Sequence, residues 1–300
     1  MPAHSALLNT WLNTSAPLAA PCEKQPLALP KPLWNNLSSF GFALTKLFVA
    51  RPVLEGFVKK NESLLSLGKL LDCVSENDER SWAGAGLFAC AVTLTENQAV
   101  VHKNFLDQEI VTRLSLQLQN AFGNWSSAEA FTALSAPPHA NAPLWSALLR
   151  LRPLQDFWER ELRRNHWNLL TEMMPEAWLF AADPLPPQAV IPRLEMSSWS
   201  QLAQLHDVGR SFEITSANED GVCWALQERQ GKEAWKSAID EALAVAANTA
   251  LVIVERTKIP EAQTVVTFYF KSEKRVEMVA AFAFSQDASG IVKATPVVKE

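Results

Sequence analysis

The sequence predicts an α+β fold: a multi-helical N-terminal domain followed by a small ββαβββ-like α+β C-terminal domain. Three observations carry this expectation. From residue 34 to about 206, apolar residues recur at three- and four-residue steps, the spacing of helices that each bury one face. After residue 210 short β-rich runs take over, with a single helical segment among them. Prolines gather in two stretches, five in residues 14–33 and four in 183–192, and mark connections rather than elements. The expected division is a Pro-rich arm over 1–33, a helical domain over 34–206 and an α+β domain over 207–300.

In chain order, SALLNTWLN at 5–13 reads as a short docking helix ahead of the extended arm. Leu37, Phe40, Leu44 and Leu47 form the stripe of a first long helix. Pro52 sits at a favoured first-turn position of a second, which carries Leu54, Phe57, Val58 and Leu64. Asp78 is placed to cap a third helix through SWAGAGLFACAVTLTEN, and Leu106, Ile110, Leu114 and Leu118 stripe a fourth over about 103–122. APPHANAP at 136–143 reads as a loop. Another amphipathic helix is expected from Leu154 to Phe180, interrupted or ended near Pro175, and then a short helix ending at HDVG.

SFEIT, an NEDG turn and VCWALQE predict a hairpin, and KEAWKSAIDEALAVAANTA predicts a helix with Trp235, Ile239, Leu243 and Ala246 on one side. Three strands follow, ALVIVERT, TVVTFYFKS and RVEMVAAFAFS, the last two joined by a tight SEK turn. The economical arrangement is one sheet with its helix on one face. Residues 286–300 read as a loose or edge-pairing tail.

With 300 residues, 48% hydrophobic and 20% charged, the chain is long and apolar enough to bury a core without staples. The net charge of −5 spreads evenly: 16 basic and 18 acidic side chains lie in 1–206, against 11 and 14 in 207–300. No segment offers a basic footprint for a phosphate backbone, which disfavours nucleic-acid binding. The four cysteines, Cys22, Cys73, Cys90 and Cys223, form no CxxC pair, so neither a zinc ribbon nor a redox dithiol is expected. Without a basic, apolar leader or an apolar run of spanning length, the expectation is a cytoplasmic protein away from membranes.

No complete catalytic set is legible. There is no GxSxG elbow and no Cys beside a convincing His, and the GxG of WAGAGLFACA lacks the third glycine and the Lys-Ser/Thr of a phosphate loop. Close helix packing through small residues is the expected role of that stretch. Eleven Trp against one Tyr, and only ten Gly, describe large aromatic anchors and few flexible turns.

These features predict a non-catalytic accessory or adaptor subunit that binds another protein in a hetero-oligomer. The expected contact residues are Trp11 and Trp34 near the arm, and Trp158, Arg160, Arg163 and Arg164 in FWERELRRNHW, where Glu159–Arg163 and Glu161–Arg164 stand at helix-supporting spacings. No cofactor is expected on this reading.

A second reading starts at QLAQLHDVGR. His206-Asp207 resembles the metal-binding dipeptide of the HD-domain phosphohydrolases. That resemblance implies a divalent metal that activates water, with an upstream His, here His166, and a downstream Asp, here Asp240, completing the shell. It covers about six residues, and the chain turns at Gly209 into an apparent strand where that family stays helical. The preferred reading of the stretch is a helix end: a His in the last turn suits the negative end of the helix, and Gly209 suits the residue beyond it. A third reading is a small-ligand binder with a Trp-lined site between the domains.

Overall fold

The computed structural model describes residues 25–61, 64, 85–95, 98–101, 106, 108–122, 142–181, 190–191, 194–208, 211–216, 223–256, 263–273, 275–286 and 292–300. Helices and sheets both occur, so the α+β expectation holds. The described helices are α1 (Lys31–Val49), α2 (Arg51–Lys59), α3 (Gln108–Phe122), α4 (Ala142–Arg150), α5 (Gln155–Leu162), α6 (Arg164–Met173) and α7 (Lys232–Ala246). The strands are β1 (Leu27–Leu29), β2 (Gly86–Leu94), β3 (Ala99–Val101), β4 (Ala177–Phe180), β5 (Ser211–Ser216), β6 (Cys223–Ala225), β7 (Leu251–Arg256), β8 (Gln263–Lys271), β9 (Val276–Gln286) and β10 (Val292–Lys299). No single described helix is long and apolar enough to cross a membrane.

The strands build two sheets rather than one. A six-stranded sheet runs β1-β10-β9-β8-β2-β3 and a four-stranded sheet runs β4-β7-β5-β6. All pairings are antiparallel except β1 with β10. The chain groups into two compact units that interleave in sequence. Unit 1 comprises Met1–Val49, Asp78–Ala140 and Ile259–Glu300; unit 2 comprises Ala50–Asn77 and Asn141–Lys258. The grouping is not the division expected at 206/207: β5, β6 and β7, with α7 against them, belong with the smaller sheet, and β8, β9 and β10 with the larger.

In unit 1 the sheet is covered on both faces. On one, Leu87, Ala89 and Ala91 of β2 join Val266, Phe268, Phe282 and Phe284 beneath Val111, Leu114 and Leu118 of α3. On the other lies α1, whose Leu37, Phe40, Leu44 and Leu47 are buried as their spacing predicts. Here Phe88 stacks on Tyr269, with ring centroids 5.1 Å apart.

Strands covered on both faces carry near-continuous apolar runs instead of alternation, and GLFACAVTL is such a run, buried from Gly86 to Val92. The helix expected there is therefore a central strand, paired residue for residue with β8 from Gly86↔Lys271 to Leu94↔Gln263. The tail at 286–300 is corrected in the same way. β10 is an inner strand, bonded to β9 on one side and to Leu27–Leu29 at the end of the supposed arm on the other. The short helix expected at 5–13 lies outside the described residues.

Glycine decides how α1 seats on the sheet. The only tyrosine, Tyr269, is fully buried and donates its hydroxyl to the Leu37 carbonyl at 2.7 Å. A Cβ on Gly41 would stand 2.2 Å from Cδ1 of that ring, so only glycine lets the helix approach this closely. Burial, then the neighbouring Cys90, push the phenol well above its ordinary value, opposed by a hydrogen bond from Thr267. Burial alone pushes the Cys90 thiol up.

In unit 2, Trp178, Phe180, Phe212, Ile214, Trp224, Leu251 and Ile253 form one face of the smaller sheet. They pack with Trp235, Ala238 and Ile239 of α7 and with Trp199, Leu202 and Ala203 of a 3-10 helix over Trp199–Val208. Ten residues is long for that geometry. The sequence accounts for it: Trp199, Leu202, Leu205 and Val208 recur every third residue, and three residues complete one turn of a 3-10 helix. On an α-helix those four positions would fan around half the circumference.

The other face carries α4, buried along its whole length from Ala142 to Leu149 and packed on β4 and β7. Ala142 and Pro143, read as loop, already lie in α4, and the rest of the loop read at 136–143 lies outside the described residues. The long helix expected over 154–180 is instead α5, α6 and β4, with breaks at Arg163 and near Pro175. The Trp-rich composition is resolved here too: seven of the eight described tryptophans lie in unit 2.

Candidate partner-binding corner

Four of the six sequence-predicted contact residues, Trp158, Arg160, Arg163 and Arg164, lie at the junction of α5 and α6. Phe157, Trp158 and Leu162 point α5 inward and are 0–1% exposed, while Glu159, Arg160, Arg163 and Arg164 face out. The Trp158 ring meets Phe157 edge-on at 4.9 Å, and Phe157 meets Phe57 of α2 at 5.1 Å. The indole of Trp158 donates to the Leu148 carbonyl at 2.8 Å, and that of Trp167 to the Leu149 carbonyl at 3.0 Å, so both tie the corner to the last turn of α4. Trp158 is thus core and not a contact residue. An indole buried with its donor satisfied contributes area and direction to packing rather than surface. Trp34 on α1 is half-buried, and Trp11 lies outside the described residues.

The corner itself is a single residue. Arg163 closes α5 and opens α6 with φ 60° and ψ 144°, a left-handed conformation that costs a residue with a Cβ about 1–3 kcal/mol. The turn is held by its carbonyl, which accepts from the backbone N–H groups of His166 and Trp167, both at 3.1 Å. The His166 ring adds Nδ1–H donated to the Leu162 carbonyl at 2.8 Å, which satisfies the end of α5. Because the helix breaks here, Glu159–Arg163 is not a pair along one helix. Glu159 accepts instead from Gln155 at 3.2 Å, and Arg160 pairs with its neighbour Glu161 at 3.0 Å while lying over the Phe157 ring at 5.7 Å.

A residue absent from the expected set fixes the corner from below. Arg150, at the end of α4, donates Nη2 to the carbonyls of Thr171 and Met174 and Nη1 to Ser146 Oγ, and Ser146 in turn donates to the Pro175 carbonyl. A cation on the last carbonyls of α6 suits the negative end of that helix. Nothing local in the sequence marks it, because the carbonyls it holds, of Thr171 and Met174, lie 21 and 24 residues away.

The His206-Asp207 stretch lies elsewhere, in the last turn of the 3-10 helix. His206 is half-buried with its ring edge-on to Trp235 of α7 at 6.5 Å. The side chain of Asp207 lies outside the described residues. The downstream acid of the HD resemblance, Asp240, is exposed on α7. His166 is engaged at the α5–α6 corner through Nδ1. Among the described residues, no three His, Cys, Asp or Glu side chains gather as a metal shell.

The GxG read as a helix-packing motif ends at Gly86, the first residue of β2. Within unit 2 the tryptophans behind the Trp-lined reading serve packing. The described indoles there are half-buried or buried, and Trp199 and Trp235, like the pair at the corner, donate to backbone carbonyls, of Ala181 at 2.8 Å and Arg229 at 3.2 Å.

Fold and corner together define a layered α+β protein with an exposed, strained arginine junction. No protein-family model matches the chain, and no curated protein matches it in sequence.

Proposed function

We propose that the chain is a non-catalytic accessory or adaptor subunit that binds another protein in a cytoplasmic hetero-oligomer, with Arg160, Arg163 and Arg164 at the contact. The observation that carries this reading is the backbone of Arg163. A strained, exposed conformation persists only where its surroundings over-determine it, and such conformations cluster at functional positions. Glycine would remove the strain at this position, yet an arginine occupies it, flanked by two more and seated on a rigid platform of Trp158, Trp167 and Arg150. Arginine is enriched at interface hot spots, and a rigid platform lowers the ordering cost of binding.

The test is native co-purification of the tagged chain from its own cells, followed by mass spectrometry, measured stoichiometry and cross-link mapping. A stoichiometric protein partner cross-linked within residues 155–168 is the expected result. Recovery of the chain alone, or a partner cross-linked only elsewhere, overturns the proposal.

A further inference from the structure

Two arginines of unit 2, Arg150 and Arg51, are treated differently. Arg150 spends its donors on carbonyls and a hydroxyl at the end of a helix. Arg51, the first residue of α2, is only 2% exposed, and its described partner is Glu55 one turn on. Nε donates to one oxygen of that carboxylate at 3.2 Å, and Nη2 lies 3.1 Å from the same oxygen. Nη1 is buried and has no acceptor among the described residues.

A stranded donor on a charged group is among the least favourable arrangements in a protein interior, and a native one asks for an explanation. The surrounding turn supplies none. It holds no acidic residue, Ala50 offers no side-chain cap, and Pro52 contributes no N–H. Side chains on a helix lean toward its N-terminus, which places the guanidinium beside this turn. The turn lies just under the surface, because Pro52 and Val53 are exposed and Glu55 is 21% exposed.

We propose that Arg51 is a binding site for a small oxyanion, whose oxygen accepts from Nη1 when the Glu55 side chain swings outward. A planar guanidinium matches a phosphate or carboxylate in charge and donor geometry, and it presents its full fork only once the Glu55 carboxylate has left it. Glu55 is then the competitor that the anion displaces, and it sets the affinity.

The test titrates the full chain with inorganic phosphate, and separately with acetate, against sodium chloride at matched ionic strength. Calorimetry and the thermal midpoint are read for wild type, Arg51→Lys and Glu55→Gln. The expected result is binding by wild type that weakens about tenfold in Arg51→Lys, which keeps the charge and loses the planar fork, and tightens in Glu55→Gln, which removes the competitor. A response to phosphate alone assigns the site to tetrahedral anions, and a response to both assigns it to oxyanions in general. No response from wild type and Glu55→Gln, or equal responses from all three proteins, overturns the assignment. Glu55→Gln alters a partly exposed side chain, so the test stands even if the Arg51 variant fails to fold.

Discussion

The two units share a plan, a sheet between helices, and differ in what locks the helices down. In unit 1 the lock is closeness. α1 comes near enough to β8 for the Tyr269 hydroxyl to reach a helix carbonyl, and Gly41 is what permits it. In unit 2 the lock is direction: Trp158, Trp167, Trp199 and Trp235 each fill volume and aim an indole N–H at one backbone carbonyl. The first kind of contact is intolerant of added atoms and the second of a lost donor. The rigidity of the α5–α6 corner is of the second kind.

The largest expected effect tests the first lock. Gly41→Ala drives a methyl into the Tyr269 ring and should cost about 3 kcal/mol of stability in urea unfolding. The same substitution at Gly56 of α2, where an added Cβ meets nothing within 4 Å, should stabilise by up to about 1 kcal/mol through helix propensity. Equal effects at the two glycines would remove the distinction between the units. For the second lock, Trp158→Phe leaves the Leu148 carbonyl short of its donor and opens space beside Phe157. A loss of about 2 kcal/mol is expected, against under about 0.5 kcal/mol for Trp34→Phe on the half-buried surface of α1.

The chain carries its own reporters for a pH test. The folded values of Tyr269 and Cys90 both lie above their unfolded ones. Their contribution is therefore complete below the unfolded thiol and phenol values, about 8.5 and 10. It is lost as pH climbs above them, because the unfolded chain releases protons that the folded one retains. Tyrosinate absorbance should accordingly appear only as unit 1 unfolds, while tryptophan emission follows mainly unit 2. Free ionisation of Tyr269 in the folded protein at its ordinary value would contradict its burial. A modest effect of the opposite sign is expected at the corner: Arg163→Gly relieves the left-handed backbone and should stabilise by about 1 kcal/mol in the same unfolding assay.

These contrasts also explain what the sequence could and could not tell. The stripe of Leu37, Phe40, Leu44 and Leu47, the first-turn Pro52, the Ser211–Ala225 hairpin, α7 and the β8–β9 pair were legible because each signal is complete within about fifteen residues. β2 was not. Its residues from Gly86 to Val92 run without polar alternation, and the partner that makes them a strand begins at residue 263. Leu205 and Val208 carried a three-residue period that signals a 3-10 turn, readable in principle but easily taken for a helix end. At the corner, Arg160, Arg163 and Arg164 stood out as charges among aromatics. The inward turn of Trp158 depends on α4, and the positive φ of Arg163 leaves no mark in an arginine.

The most direct test of the proposed role compares native co-purification of wild type with an Arg163→Glu/Arg164→Glu variant whose unfolding transition matches wild type. A partner recovered at fixed stoichiometry with wild type and lost with the charge-reversed corner is the expected result. A partner retained equally by both, or none recovered with either, would contradict it.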